Sequence, residues 1–149
     1  MNTKKILLPL LMIVMAFQSY SQVKISAILG YEYNNQKNTF SPNVVGKVSS
    51  EIDGDGNHTM VVVKLNRIQG QEYKHINRTL KITAQYENNG KVEEVFESIE
   101  LIVPYVDETF FVPLIIHRGA TETTIKVELY EEGKLISTKK QLLLTSDGG

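Results

Sequence analysis

The chain is 149 residues long, with 16 lysines and arginines against 17 aspartates and glutamates, a formal charge of −1, and no cysteine. So even a balance argues against nucleic acid as a partner, because phosphates demand a basic face. The missing thiols exclude disulfide staples and cysteine chemistry, so stability must come from apolar packing.

Residues 1–21 read as a secretory signal peptide cleaved before Gln22. Lys4 and Lys5 form a positive start, residues 6–17 are an apolar run interrupted by Pro9, and Ser19 and Ser21 place small residues at the −3 and −1 positions. The run is shorter than the roughly 20 apolar residues that span a bilayer. The product is therefore expected in a periplasm or outside the cell, without stable membrane insertion. The leader holds two of the basic residues and no acidic one, which leaves residues 22–149 with a formal charge of −3. That length suits a single domain able to bury its own core.

From Gln22 onward the pattern is of strands. Val23, Ile25, Ala27, Leu29, Tyr31 and Tyr33 share one parity and Lys24, Ser26 and Glu32 the other, which predicts a first strand, with Ile28 and Gly30 breaking the strict pattern. Asn34 to Asn43 reads as a polar loop, and Val44 to Ile52 as a weaker strand. Asp53 to Asn57 is a turn cluster leading into Thr59 to Ile68, whose Met60 to Val63 predict a central strand buried on both sides. Gln69 to Arg78 is a second polar connection. Leu80, Ile82, Ala84 and Tyr86 alternate inward up to Asn88-Asn89-Gly90, a hairpin signal. The return path, Lys91 to Val103, could be two strands around Glu97 and Ser98. Thr109 to His117 contains Pro113, which suits a sheet edge.

Thr123 to Leu144 is the plainest hairpin. Ile125, Val127 and Leu129 alternate with Lys126, Glu128 and Tyr130, Gly133 permits the reversal, and Leu129 is expected to face Leu135 or Ile136. Whether Leu142 to Leu144 pairs within the chain or with a partner stays open. Seven or eight strands without an amphipathic helix describe an all-β fold. The expected form is an antiparallel two-sheet β-sandwich of immunoglobulin or fibronectin type, with a small barrel as the alternative. The tryptophan and cysteines of antibody domains are missing, so the likeness is one of architecture alone.

Candidate chemistry is sparse. Asp53, Asp55 and Asn57 match positions 1, 3 and 5 of a calcium loop, but His58 replaces the position-6 glycine and Lys64 the bidentate glutamate, so calcium is a weak alternative to an ordinary turn. His58, His75 and His117 share no ligand spacing, no serine sits in a Gly-x-Ser-x-Gly elbow, and Glu93-Glu94 and Glu131-Glu132 read as solvated hairpin faces. An enzyme is therefore not expected, nor a cofactor. Tyr31, Tyr33, Phe40, Tyr73 and Tyr105, with His75, lie in or beside loops. They could form a recognition surface for a protein or glycan partner, or cap the sandwich ends. The expected role is an exported binding module acting through those loops. The alternative is a structural or chaperone-like assembly factor that adds strands or self-associates at a sheet edge.

Overall fold

The computed structural model describes residues 22–48, 54, 58–70, 72–88, 91–117 and 122–145. The expected leader lies outside them. β-Branched and aromatic residues at every second position give strands rather than helices. In chain order these are β1 (Val23–Asn34), β2 (Thr39–Phe40), β3 (Lys47–Val48), β4 (His58–Arg67), β5 (Arg78–Asn88), β6 (Lys91–Ile102), β7 (Thr109–His117), β8 (Thr123–Glu131), β9 (Lys134–Leu142) and β10 (Leu144–Thr145). Among the described residues there is no helix.

Two antiparallel sheets hold the long strands, one in the order β2-β1-β4-β7 and the other β6-β5-β8-β9, while β10 and β3 form a short parallel pair. The layout is compatible with a β-sandwich. Val61, Val63, Leu65 and Ile116 of the first sheet and Leu80, Ile82, Ala84, Ile125, Val127 and Leu129 of the second belong to one buried apolar cluster. The inward set expected for β5 and β8 is thus observed, with Tyr86 only half-buried at the strand's end. β4 is central in its sheet, yet it is not buried on both sides. Its even-numbered residues Met60, Val62 and Lys64 are only half-covered, because no element among the described residues packs on that face.

The parity expected for β1 fails after its third residue. Ile25 lies opposite Leu65 and Ala27 opposite Lys64, so Ser26 is an extra residue, a β-bulge. One inserted residue exchanges the two faces of everything beyond it. Ile28, Gly30 and Glu32 are consequently buried, and Ala27, Leu29, Tyr31 and Tyr33 turn outward. Lys139 on β9 donates to the Ser26 carbonyl at 2.9 Å, which ties the bulge to the second sheet. Gly30 is required at its inward position. A Cβ there would lie 3.1 Å from Leu143 Cδ2 and 3.3 Å from Val44 Cγ2, two buried side chains with little room to yield.

Connections follow from local chemistry. The segment expected as a loop, Asn34 to Asn43, is instead a hairpin extension in which Tyr33 and Asn34 pair with Phe40 and Thr39. Its turn is helped by the Asn34 side chain, which accepts from the Lys37 amide at 2.9 Å. The chain then runs beside β1. Ser41 N donates to the Glu32 carbonyl at 2.8 Å, Val44 N to the Gly30 carbonyl at 2.9 Å, and Asn43 Oδ1 accepts from Gly30 N. Within the span expected as a weak strand, only Lys47–Val48 is paired among the described residues.

Asn88 pairs with Lys91, as the Asn-Gly signal predicts. β6 is one strand rather than two, with irregular register at Ala84/Gln85 and Tyr86/Glu87. Glu131 pairs with Lys134 around Glu132 and Gly133, both at positive φ (48° and 77°), the backbone that matches a two-residue loop to strand twist. A second bulge at Leu129/Tyr130 places Leu129 opposite Ser137, not Leu135 or Ile136, and Ile136 packs against the core. The terminal run pairs in the chain itself. Leu142 lies opposite Thr124, Leu143 is fully buried, and Leu144 pairs with Lys47. β7, carrying Pro113, is an edge strand as expected.

The bulge makes a ranking that strict alternation would reverse. Ile28→Ala should cost about 2–5 kcal/mol in urea unfolding, the range for large-to-small core changes, and Leu29→Ala clearly less. A larger loss at Leu29 would mean the strand faces are assigned the wrong way round.

Candidate binding surfaces

The outward face of the first sheet is built by that exchange of parity. Reading across β1, β4 and β7, Tyr31 lies beside Met60 and Ile115, Leu29 beside Val62 and Pro113, and Ala27 beside Lys64 and Phe111. Phe111 and Ile115 are 53% and 62% exposed, far from the burial their size would favour. Tyr33 and Phe40 extend the file at one end, their rings 5.2 Å apart. There a groove of about 250 Å³ opens between Tyr33, Asn35, Phe40, His58, Met60 and Ile115. The lone cation along the three rows, Lys64, lies 5.8 Å from the centre of the Phe111 ring.

The outward face of the second sheet has the opposite chemistry. Lys81 lies beside Glu128, Thr83 beside Lys126 and Gln85 beside Thr124, with Thr83, Gln85 and Thr124 themselves buried. Lys126 and Glu128 are joined at 2.7 Å. Exposed apolar side chains on this sheet, such as Ile102 and Leu135, belong to its edge strands. Scattered apolar residues are ordinary on a surface, whereas a contiguous set across three strands is the mark of an interaction face.

The six aromatic and imidazole candidates fall into two groups. Tyr31, Tyr33 and Phe40 lie on the apolar face and its end. Tyr73, His75 and Tyr105 cluster at the other end of β1 and β4, with Tyr73 and Tyr105 ring centres 4.4 Å apart and His75 5.8 and 5.9 Å from them. Ten strand residues separate the ends, about 30 Å. The connections at Asn34–Asn43 and Gln69–Arg78 therefore lie at opposite ends of the first sheet.

Within the second group the roles divide. Tyr73 packs on the core between two guanidinium groups, Arg67 at 5.2 Å and Arg78 at 5.0 Å from its ring centre. Arg78 is only 2% exposed. Its Nε donates to Glu131 Oε1 at 2.9 Å, Nη1 to the Tyr73 hydroxyl at 3.0 Å and Nη2 to Gln22 Oε1 at 3.2 Å. Gln22 in turn accepts from Lys74 N and donates to the Glu72 carbonyl, closing the end of the sandwich. Tyr73 is thus a cap, while His75 and Tyr105 face solvent. Glu131, expected on a solvated face, is buried against Arg78, because β5 and β8 pair and set these two residues opposite each other.

The calcium-loop residues Asp53, Asp55 and Asn57 lie outside the described residues. Gly54 is described, and a Cβ on it would come 2.6 Å from Glu32 Cβ, so Gly54 lies directly on the buried Glu32 side chain. Glu32 Oε1 accepts from the Thr59 hydroxyl at 2.5 Å. The histidines expected apart are partly together: His58 and His117 are cross-strand partners with ring centres 5.2 Å apart, and His75 is at the other end. Among the described residues no three histidines or carboxylates converge, and no helix is long and apolar enough to cross a membrane.

Removing one partner of a buried ion pair strands the other charge, at a cost of about 3–5 kcal/mol. Glu131→Leu should lower chemical stability by that order, and adding Arg78→Met should recover most of the loss. A double variant no more stable than Glu131→Leu would show that the arginine's bonds to Tyr73 and Gln22 carry the end of the sandwich instead.

No protein-family model matches the chain, and no curated protein matches it either.

Proposed function

We propose that the chain is an exported, non-catalytic binding module of immunoglobulin or fibronectin type that engages a protein partner through the outward face of its first sheet. Strand connectivity supports the type. The seven long strands divide three and four, and successive strands cross between the sheets after β4 and on either side of β7, as in Greek-key sandwiches. β6 stands beside β5 in the second sheet instead of joining the first.

One observation carries the binding role: an apolar file over three strands on one outer face, against a charged and hydroxylated row on the other. Burying exposed apolar area is favourable by roughly 25 cal/mol per Å², so this is where association gains most. Broad aliphatic rows with few donors suit a protein surface better than a glycan, whose hydroxyls need partners. A second reading, assembly by strand addition, rests on β6. It is a twelve-residue edge with Val92 and Val95 exposed. Glu94 and Glu100 on the same strand are the kind of charge that discourages uncontrolled pairing.

Phe111→Lys and Ile115→Lys should each leave stability within about 0.5 kcal/mol, as exposed substitutions do, and together abolish capture of a partner from the native envelope or medium. Tyr105→Ala should leave capture intact. Capture that survives both lysines and disappears with Tyr105→Ala would move the site to the opposite end.

A further inference from the structure

We infer that His58, His117 and Met60 form a binding site for monovalent copper at the end of the apolar face. The two histidines are 59 positions apart in the chain and meet because β4 and β7 pair in the register that sets His58 opposite His117. Their rings are 5.2 Å apart between centres and inclined at 68°. Metal–imidazole bonds are about 2.0–2.1 Å, so a shared ion lies about 3.2 Å from each ring centre, and a near-tetrahedral angle separates those centres by about 5.2 Å. The observed ring-centre separation equals that value. A hydrogen bond on one imidazole nitrogen sets the tautomer and leaves the other for the metal.

Met60 supplies the selectivity. It stands two residues from His58 on β4, hence on the same face, and both line the groove with Tyr33, Phe40 and Ile115. Two imidazoles alone accept zinc, nickel or copper, whereas a thioether favours soft monovalent copper. Apart from the Asn35 amide the groove's walls are aromatic and aliphatic and act the same way, because the cost of moving an ion from water to apolar surroundings rises with its charge. Unbranched and with three rotatable bonds, methionine can swing its sulfur toward the imidazoles. The site adjoins the proposed partner face and shares Met60 and Ile115 with it, but Cu(I) retention is read on the purified protein without any partner, so either proposal can fail without the other.

Titration of the purified protein with Cu(I) against a chromophoric Cu(I) chelator, under reducing anaerobic conditions, tests this. The parent should retain one equivalent. His58→Ala and His117→Ala should each weaken retention by about tenfold or more, since loss of an outer-shell partner alone costs about 10–100-fold. Met60→Leu should weaken Cu(I) and leave Zn(II) binding unchanged, and His75→Ala should change neither. Imidazole NMR signals of His58 and His117, but not His75, should shift with Cu(I) in the parent, a readout independent of how the variants fold. Equal loss of copper from the parent and the double histidine variant, absent shifts in the parent, or Cu(I) retention indifferent to Met60→Leu would each overturn the three-ligand site.

Discussion

A single extra residue, Ser26, sets the character of both sides of the first sheet. Before it, Val23 and Ile25 point to the core; beyond it the inward positions are Ile28, Gly30 and Glu32. Had the alternation continued, Tyr31 and Tyr33 would have had to fit where Gly30 and Glu32 now lie, against Val44, Leu143 and Thr59. The bulge therefore selects a glycine for the tight inward place and leaves the aromatics for the surface. Lys139 holding the Ser26 carbonyl couples this choice to the second sheet.

The two ends of the sandwich are closed by different chemistry. At the Gln22 end a polar network stacked on Tyr73 seals the core, with Arg78 satisfied by an acid, a phenol and an amide. Burial of a guanidinium is tolerable only with such partners, and the geometry they demand fixes where the Gln69 to Arg78 connection lies. The Tyr33 end combines the buried Glu32–Thr59 hydrogen bond with apolar cover. Val44 and Leu143 fill the space over Gly30, and the β2 hairpin carries Phe40 beside Tyr33. A stiff polar cap at one end and an aromatic groove at the other give the molecule a polarity that neither sheet has by itself.

That polarity accounts for where recognition and metal chemistry are proposed. On the outer rows of the second sheet Lys126 and Glu128 are already paired and Thr83, Gln85 and Thr124 are buried, and at the polar cap the Arg78 donors are held by internal partners. What remains is the file from Phe111 to Tyr33, where association removes apolar area from water. The histidine pair sits at its end because β4 and β7 finish there in register.

Period-two patterning and turn chemistry are local, and they were enough to determine the strand composition of the chain. Glu132-Gly133 marks a reversal because both backbones take positive φ, a property that glycine carries in itself. Pro113 marks an edge because a proline has no amide hydrogen to donate. The strand of Leu80, Ile82 and Ala84 shows its inner face for the same local reason. Ser26 could not be recognised as a bulge, since a serine suits an outward position in either register. Nor could Arg78 be matched with Glu131, Tyr31 assigned to the surface, or His58 brought to His117. Each depends on how strands far apart in the chain align, and alignment is decided by packing of the whole sandwich, not by any one segment.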